Sequence, residues 1–332
     1  MYMAYFSFII PVYNRPDEVR ELLDSLTLQH CKDFEVIVVE DGSQVPCEEV
    51  VKAFADKLDI RYYMKPNSGP GQSRNYGAER ATGEYLIVLD SDCVIPEGYL
   101  DAVKAELDAM PADAFGGPDR AHDSFTDLQK AINYAMTSFF TTGGIRGGKK
   151  KLDKFYPRSF NMGVRADVYK ALGGFSKMRF GEDIDFSIRI FKGGYKCRLF
   201  PEAWVWHKRR TDLRKFFKQV HNSGIARINL YKKYPESLKI VHLLPAIFTV
   251  GVILLLLGAP ILPWLPSFIA LFIIIIFVDS TLQNHSIKIG ALSVVASFVQ
   301  LMGYGSGFLR AWWQRCVRGK DEFEAFKNSF YK

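Results

Sequence analysis

The sequence predicts an α/β domain with a mostly parallel sheet, followed by a basic amphipathic region and C-terminal transmembrane helices. Through the first two-thirds of the 332 residues, short apolar runs alternate with helix-length amphipathic segments, which is the pattern of βαβ units. From Val241 onward, the apolar runs approach the roughly 20 residues that cross a bilayer. The net charge of +7 suits an anionic partner, either a membrane surface or a nucleic acid.

The elements of the first part are bounded by turn residues and prolines. The N-terminal apolar run has no basic flank and no small-residue cleavage site, so we expect it to form a strand and not a signal peptide. Strands are predicted at about 5–10, 34–39, 60–64, 85–89, 115–118 and 198–207. Helices are predicted at about 17–28, 48–58, 99–110, 123–140 and 167–172, with others that end near 81 and begin near 182.

The segment from Tyr85 to Asp92 is the most informative one. Its apolar run ends in two carboxylates, Asp90 and Asp92, one residue apart. A buried parallel strand has such a run, and ligands bind at the carboxyl ends of strands in open α/β sheets. Two oxygen ligands there suit Mg²⁺ or Mn²⁺, although Asp and Ser are also common in solvated turns.

Two further strand ends are expected at the same edge, Pro11 to Asn14 after the first strand and Glu40-Asp41 after the second. Together with 90–92 they form the expected layout of a nucleotide site. The loop from Gly69 to Asn75 adds backbone N–H groups at a helix start, where anions bind. Arg74 in this loop is a candidate phosphate contact, or else an ordinary exposed arginine.

Three later features are candidates for catalysis or gating. Glu182 and Asp183 begin a helix, where acids favour the helix dipole, and one of them is also a candidate general base. His207, at a strand end, is a candidate metal ligand. The Gly- and Lys-rich loop 141–151 is either a gate or a solvated linker. The residues assigned to acceptor binding or gating are Arg146, Lys149, Asn161, Met162 and Gly163.

The region 208–239 is basic and amphipathic, which suits a helix on an anionic membrane surface. Nucleic-acid binding is disfavoured, because hydrophobic spans follow immediately. We expect transmembrane helices at about 240–257, 261–278 and 287–309 within a region 240–310, and a basic tail at 311–332. Three complete spans would put the two ends of this region on opposite sides, so one segment is either re-entrant or interfacial, or else the positive-inside rule fails.

In this order, the motifs resemble those of the family 2 glycosyltransferases with the GT-A fold. The resemblance covers about Phe6 to His207, with the C-terminal region similar to enzymes that add sugars to lipid-linked intermediates of surface polysaccharides. The motifs that carry it are Pro11-Val12-Tyr13-Asn14, Glu40-Asp41-Gly42-Ser43, Asn67 to Asn75, Asp90-Ser91-Asp92 and Gly181-Glu182-Asp183.

The resemblance implies a GT-A domain at 1–207 and a role for each motif residue. Asp92 would bind Mn²⁺ or Mg²⁺ at the donor diphosphate, with His207 a further ligand and Asp90 touching the ribose or a metal-bound water. Asp183 would deprotonate the acceptor hydroxyl, supported by Glu182. The nucleotide-sugar site would comprise Pro11, Tyr13, Asn14, Glu40, Asp41, Asn67, Gly69, Arg74, Asp90, Ser91 and Asp92. Of these, Pro11, Tyr13 and Asp41 would line the nucleobase pocket.

The predicted function is therefore inverting, metal-dependent transfer of one sugar from a nucleotide-diphosphate sugar to a lipid-linked acceptor. The partners are the sugar donor, that acceptor and membrane lipids, with no nucleic acid. The five cysteines have no paired spacing, so we expect a reducing compartment, at the cytoplasmic side of a bacterial inner membrane. The alternatives are a polyprenyl-phosphate sugar synthase, a non-catalytic sugar-nucleotide-binding subunit and, less favoured, a sugar nucleotidyltransferase.

Overall fold

The structure is a computed structural model that describes residues 5–120, 125–143, 155–178 and 180–326. The described chain divides into two compact units. The first contains residues 5–120 and 155–208, and the second contains residues 125–143 and 209–326. Residues 125–143 therefore belong to the second unit, although they lie inside the range 1–207 that was expected to form the catalytic domain. The functional boundaries given above stay predictions.

The first unit is built on a seven-stranded mixed sheet with the order β3-β2-β1-β4-β8-β6-β9, and on a small sheet with the order β5-β10-β7. Strands β3, β2, β1 and β4 are parallel, and β8 runs antiparallel to β4. The strands are β1 Phe6–Val12, β2 Phe34–Asp41, β3 Ile60–Lys65, β4 Tyr85–Leu89, β5 Cys93–Val94, β6 Ala114–Gly116, β7 Asp119–Arg120, β8 Asn161–Arg165, β9 Cys197–Leu199 and β10 Val205–His207.

The described residues form thirteen α-helices, of which α1–α4, α7 and α8 lie in the first unit. The helices are α1 Pro16–Thr27, α2 Glu48–Lys52, α3 Pro70–Ala78, α4 Tyr99–Ala109, α5 Asp127–Thr137, α6 Phe139–Thr142, α7 Ala166–Ala171, α8 Glu182–Lys192, α9 Leu213–Lys233, α10 Leu244–Gly258, α11 Pro266–Asn284, α12 Ile287–Trp312 and α13 Glu322–Ala325.

The register of the central strands brings the predicted site segments to one edge of the sheet. In β1, Val12 lies opposite Glu40 of β2, and Ile9 lies opposite Val88 of β4. Because these strands are parallel, their carboxyl ends meet at the same edge. All three strands are almost wholly buried, and they are apolar apart from one serine in β1 and three acids in β2, which is why they read as near-continuous hydrophobic runs.

The single strand predicted over 198–207 is wrong. The structure divides it into β9, which pairs with β6, and β10, which belongs to the small sheet. Between them the chain turns at Phe200-Pro201. Phe200 is fully buried and stacks on Phe115 at 4.6 Å between ring centroids. This anchor and the proline that follows it end one strand before the next begins.

Two of the three predicted spans meet the length and composition of a membrane-crossing helix in the described residues, namely α11 and α12 with its extension to Val317. The first predicted span, 240–257, is wrong in extent. Residues Ile240–His242 form a short 3₁₀ turn, and the 15-residue helix α10 begins only at Leu244, with Pro245 in its first turn. The second span begins five residues later than predicted, because Pro263 and Pro266 delay the start of α11.

The amphipathic helix was predicted correctly in α9, but its apolar side does not face outwards. Phe216, Val220, Ile225, Ile228 and Leu230 are all buried. They are covered mainly by α12, which packs closely along α9: a Cβ added to Gly307 would lie 2.0 Å from the carbonyl oxygen of His221. The apolar stripe of α9 is therefore used inside the second unit.

Candidate active site

The Asp90-Ser91-Asp92 turn follows β4 directly and leads into β5. Strand β10 pairs antiparallel with β5 and sets His207 opposite Cys93. This pairing brings the Nε2 atom of His207 to 3.2 Å from a carboxylate oxygen of Asp92. The His207 ring is held from one side by Phe160, whose ring centroid lies 4.9 Å away. Two of the predicted metal ligands, 115 residues apart in the sequence, are therefore neighbours.

Asp92 is a buried carboxylate between two nitrogen-containing side chains. One oxygen faces His207, and the other accepts a hydrogen bond from the guanidinium of Arg15. Burial alone would raise the pKa of Asp92, but His207 and Arg15 more than offset it, so that its pKa is held well below the ordinary value. Asp92 is therefore charged, and its environment is already arranged to hold positive charge against it.

Asp92, Cys93 and His207 form a group whose ligand atoms all lie within 4.8 Å of one another. Burial raises the pKa of the Cys93 thiol, which donates to the carbonyl oxygen of Phe160 at 3.4 Å. A protonated, hydrogen-bonded thiol is a poor ligand. The remaining carboxylate and imidazole fit a cation such as Mn²⁺ that keeps open positions for water and phosphate oxygens.

Arg74 lies at the centre of a second set of charges. Its guanidinium donates to Asp90 at 2.8 Å and to Glu182 at 3.0 Å, and it stacks over the ring of Phe175 at 5.1 Å. The side chain is only 3% exposed. Arg74 therefore joins the turn after β4 to the first turn of α8. Each of its two terminal nitrogens donates to a different carboxylate.

The two acids that begin α8 have different surroundings. Burial raises the pKa of Glu182 above its ordinary value, and although Arg74 opposes this, the charge of Asp183 adds to it. Asp183 contacts the Nε of Arg158 at 2.9 Å and also accepts from the backbone N–H of Ile184 at 2.8 Å. Each carboxylate oxygen has two lone pairs, so Asp183 keeps capacity to accept a further proton or hydrogen bond.

Asn14, which follows β1, and Glu40, near the end of β2, hold loops together. The side-chain oxygen of Asn14 accepts the backbone N–H groups of Gln44 and Val45 at 2.7 and 3.0 Å. Glu40 is fully buried and accepts from Ser43 and from the backbone N–H of Cys47. Since these oxygens are bonded to the loop after β2, Asn14 and Glu40 hold in place the loop that borders the predicted nucleotide site.

Asp41 organises the loop that leads into α3. Its carboxylate accepts the backbone N–H groups of Ser68 and Gly69 at 2.9 and 2.8 Å and pairs with Lys65. Asn67 donates to the backbone carbonyl of Asp41 at 2.9 Å. Gly69 has a φ of 93°, which favours glycine, at the start of α3. At the end of β1, Pro11 is half-buried, whereas Tyr13 is 44% exposed.

The assignment of Asn161, Met162 and Gly163 to acceptor binding or gating does not fit their position. They begin β8, which lies between β4 and β6 in the large sheet. Asn161 and Met162 are fully buried, and a Cβ on Gly163 would lie 2.0 Å from the ring of Phe115. These residues are therefore part of the packed core. Arg146 and Lys149, the other two gating residues, lie outside the described residues.

Sequence analysis did not identify Arg15 and Arg158, the arginines that pair with Asp92 and Asp183. Arg15 stands in the segment between Pro11 and Pro16, and Arg158 precedes β8 by three residues. Both act through contacts between residues far apart in the chain. No local pattern distinguishes such an arginine from an exposed one.

Comparison with known proteins identifies the family. The sequence pattern of the family described as "Glycosyl transferase family 2" matches residues 7–173, half of the chain.

The chain belongs to glycosyl transferase family 2.

Two relatives agree with this assignment. An uncharacterized glycosyltransferase of Rickettsia felis is 33% identical over 135 residues, which are 41% of this chain and 22% of that protein. The chain thus matches about a fifth of that relative. The glycosyltransferase AglE of Haloferax volcanii is 25% identical over 75% of this chain and 81% of its own.

The fold is shared with the mannosyltransferase PcManGT from Pyrobaculum calidifontis, solved in complex with GDP-Man and Mn²⁺. The TM-score is 0.65 at 18% identity, covering 95% of this chain and 89% of that one. The predicted GT-A fold and the predicted family are therefore confirmed.

Replacing Arg74 tests whether its bridge between Asp90 and Glu182 is an energetic link. We expect Arg74→Met to lower the free energy of unfolding by about 3–5 kcal/mol, because two carboxylates lose their shared counterion in a buried site. Arg20→Met, at an exposed arginine of α1, should change it by less than about 0.5 kcal/mol. Chemical unfolding of each variant gives these values.

A double-mutant cycle with Glu182→Gln supplies the control. The loss in the double variant should be smaller than the sum of the two single losses. Additive losses, or equal losses for Arg74→Met and Arg20→Met, would show that the bridge is not an energetic link.

Proposed function

We propose that this protein is an inverting, metal-dependent glycosyltransferase that moves one sugar from a nucleotide-diphosphate sugar to a lipid-linked acceptor. The observation that carries the proposal is the Arg74 bridge. It joins the Asp90-Ser91-Asp92 turn, on the donor side, to Glu182 and Asp183, on the acceptor side. A single transfer needs both sets of carboxylates around one reacting carbon.

The donor side would hold the cation through Asp92 and His207. When bound there, a divalent cation would neutralise the charge that develops on the leaving diphosphate. Asp90 is engaged by Arg74, which favours Asp92 as the principal ligand and Asp90 as a partner of a metal-bound water or the ribose. PcManGT was solved with GDP-Man and Mn²⁺, which supports a donor and a cation of these classes.

The acceptor side would supply the base. In the proposed step, the acceptor hydroxyl oxygen bonds to the anomeric carbon of the donor sugar while the bond from that carbon to the diphosphate oxygen breaks. The bonding electrons leave with the diphosphate, and Asp183 accepts the hydroxyl proton. Attack opposite the leaving group inverts the anomeric carbon. Arg158 orients Asp183, and Glu182 holds Arg74 in place.

Three observations support a membrane location, with the first unit on the cytoplasmic side of a bacterial inner membrane. The second unit exposes large apolar side chains along α10 and α11, including Leu254 at 62% and Ile274 at 57%. Such a continuous apolar surface marks an interaction with a membrane or another protein. Exposed basic residues of α9 lie in the same unit and suit anionic lipids. All five cysteines are free thiols, as expected in a reducing compartment.

A lipid phosphate is the second candidate acceptor, and Arg158 is the observation that favours it. This arginine is about a third exposed beside Asp183, and a guanidinium binds phosphate well. The protein would then be a polyprenyl-phosphate sugar synthase, and a phosphate acceptor needs no base.

Asp92→Ala should abolish stabilisation by the donor in the presence of Mn²⁺. A nucleotide sugar at 100 times its Kd should stabilise the unaltered protein by about 2.7 kcal/mol. A thermal-shift screen of nucleotide sugars, with and without Mn²⁺, measures this. Asp101→Asn, at an exposed carboxylate of α4 that pairs with His30, is the matched control and should keep the full shift. A donor that stabilises Asp92→Ala as strongly as the unaltered protein would exclude Asp92 from the metal–diphosphate site.

Asp183→Asn and Arg158→Gln together distinguish the two acceptors. For a hydroxyl acceptor, Asp183→Asn should lower kcat by roughly 10²–10⁴-fold, because the base is lost, while the donor-dependent thermal shift remains. For a phosphate acceptor, Asp183→Asn should retain most of its turnover, and Arg158→Gln should raise the KM for the acceptor. If the unaltered protein binds a donor but neither transfers nor hydrolyses it with any acceptor lipid, it is a non-catalytic subunit.

A further inference from the structure

Helices α10 and α11 form a hairpin with an uncharged and largely apolar tip. The rings of Phe248 and Phe272 pack across it at 5.0 Å. The tip, residues 259–267, has the sequence Ala-Pro-Ile-Leu-Pro-Trp-Leu-Pro-Ser and contains no charged residue. Ile261 is 81% exposed and Trp264 is 56% exposed. A tip of this composition has little to gain from contact with water.

Most backbone N–H groups of the tip also need no water. Of its nine residues, Pro260, Pro263 and Pro266 have no N–H group. Five of the other six N–H groups donate to carbonyl oxygens within the turn or in the last turn of α10, for example that of Leu262 to Gly258 at 2.9 Å. The side chain of Ser267 donates to the carbonyl of Trp264 at 2.6 Å. Unpaired backbone groups are the main reason that irregular connections are excluded from hydrocarbon, and here five of the six N–H groups are paired.

The apolar part of the hairpin is too short to reach the far side of a bilayer, although α11 as a whole has the length of a membrane-crossing helix. In α11, the apolar stretch ends at Asp279, whose carboxylate accepts a hydrogen bond from Tyr134 of α5 at 2.5 Å. The thirteen residues from Pro266 to Val278 span about 20 Å, and the 15 residues of α10 span about 22 Å. The hydrocarbon core is about 30 Å thick.

Helix α12 is long enough to cross a bilayer, but it packs against α9, which carries exposed charges that are unsuited to hydrocarbon. Its second half packs against α9, where Gly303 meets Val220 and Gly224 meets the backbone of Tyr304. In its first half, α9 exposes Arg214, Lys215 and Lys218. Charges in the middle of a bilayer are costly, so the helix that carries them stays outside and keeps α12 with it.

We infer that the α10–α11 hairpin is a re-entrant wedge. It enters the hydrocarbon of the bilayer from the side on which α9 lies, and its tip stays inside the membrane without crossing. The basic side chains of α9 then meet anionic headgroups. This inference rests on the membrane association within the proposed function, and it places both ends of the region 240–310 on one side of the membrane.

Single-cysteine reporters in liposomes test the wedge. In the full chain, Cys31, Cys197 and Cys316 are changed to Ser, and either Leu262→Cys in the tip or Ile287→Cys at the start of α12 is added; the buried Cys47 and Cys93 remain. The protein is added to preformed vesicles of phosphatidylglycerol and phosphatidylethanolamine. A membrane-impermeant maleimide outside should label Ile287→Cys and leave Leu262→Cys unlabelled. The same reagent trapped inside the vesicles should label neither.

A fluorophore on Leu262→Cys should be quenched more strongly by lipids with a nitroxide on the acyl chain than by lipids with a headgroup nitroxide. Labelling of Leu262→Cys from the vesicle lumen would show a full crossing. Labelling from outside at the rate of Ile287→Cys would show that the tip lies in water or against another protein. Either result overturns the inference.

A charge in the tip provides a second test with a matched control. Ile261→Lys should weaken binding to the same vesicles by roughly 100-fold, because a lysine enters the hydrocarbon. Ile287→Lys, beside Lys288, should change binding less than about threefold. Equal binding of both variants would contradict the wedge. Donor-dependent thermal shifts, measured on the same preparations, report on the proposed function independently of the membrane.

Discussion

The guanidinium of Arg74 is the interaction on which the arrangement of the candidate site depends. Asp90 follows a strand of the large sheet, and Glu182 begins a helix 92 residues later. Without a shared cation, the negative charges of these two carboxylates would repel each other, because like charges interact strongly where little water screens them. By pairing with both, Arg74 links the Asp90-Ser91-Asp92 turn to the start of α8.

A second carboxylate–cation pair has a different role. Arg15 stands beside Asp92, where the proposed divalent cation would also bind. Arg15 is 28% exposed, whereas Arg74 is 3% exposed. A partly exposed arginine on a loop can turn towards solvent at little cost, but a buried one cannot. Arg74 therefore supports the site permanently, and Arg15 balances the charge of Asp92 in the absence of another cation.

The sequence predicted the parts of the site that depend on local pattern. The strand β4 was predicted with its observed bounds, because an apolar run bounded by glycine and by acids has few other interpretations. The position of Asp90 and Asp92 at the edge of the sheet followed from it. Pairings between distant residues could not be predicted. Asn14, Glu40 and Asp41 look like ligands because they are polar residues after predicted strands, yet their oxygens hold loop backbone in place.

The second unit shows the corresponding limit of hydropathy. Composition alone gave three spans, since an apolar helix packed in protein and one in lipid look the same in a sequence window. Packing separates them: 39% of the apolar window of α12 is buried, against 11% for α11. The glycines of α12 allow α9 to approach closely. This contact, which a hydropathy value does not include, is why much of α12 is buried in protein.

In the proposed reaction, Asp92 and Asp183 serve one direct displacement at a single carbon. The most direct measurement is the anomeric configuration of the first product, followed by proton NMR from the start of the reaction with a donor of known configuration. We expect a product of inverted configuration from the earliest time point. A product that retains the configuration of the donor would contradict the proposed reaction, because retention requires a second displacement or attack from the same face.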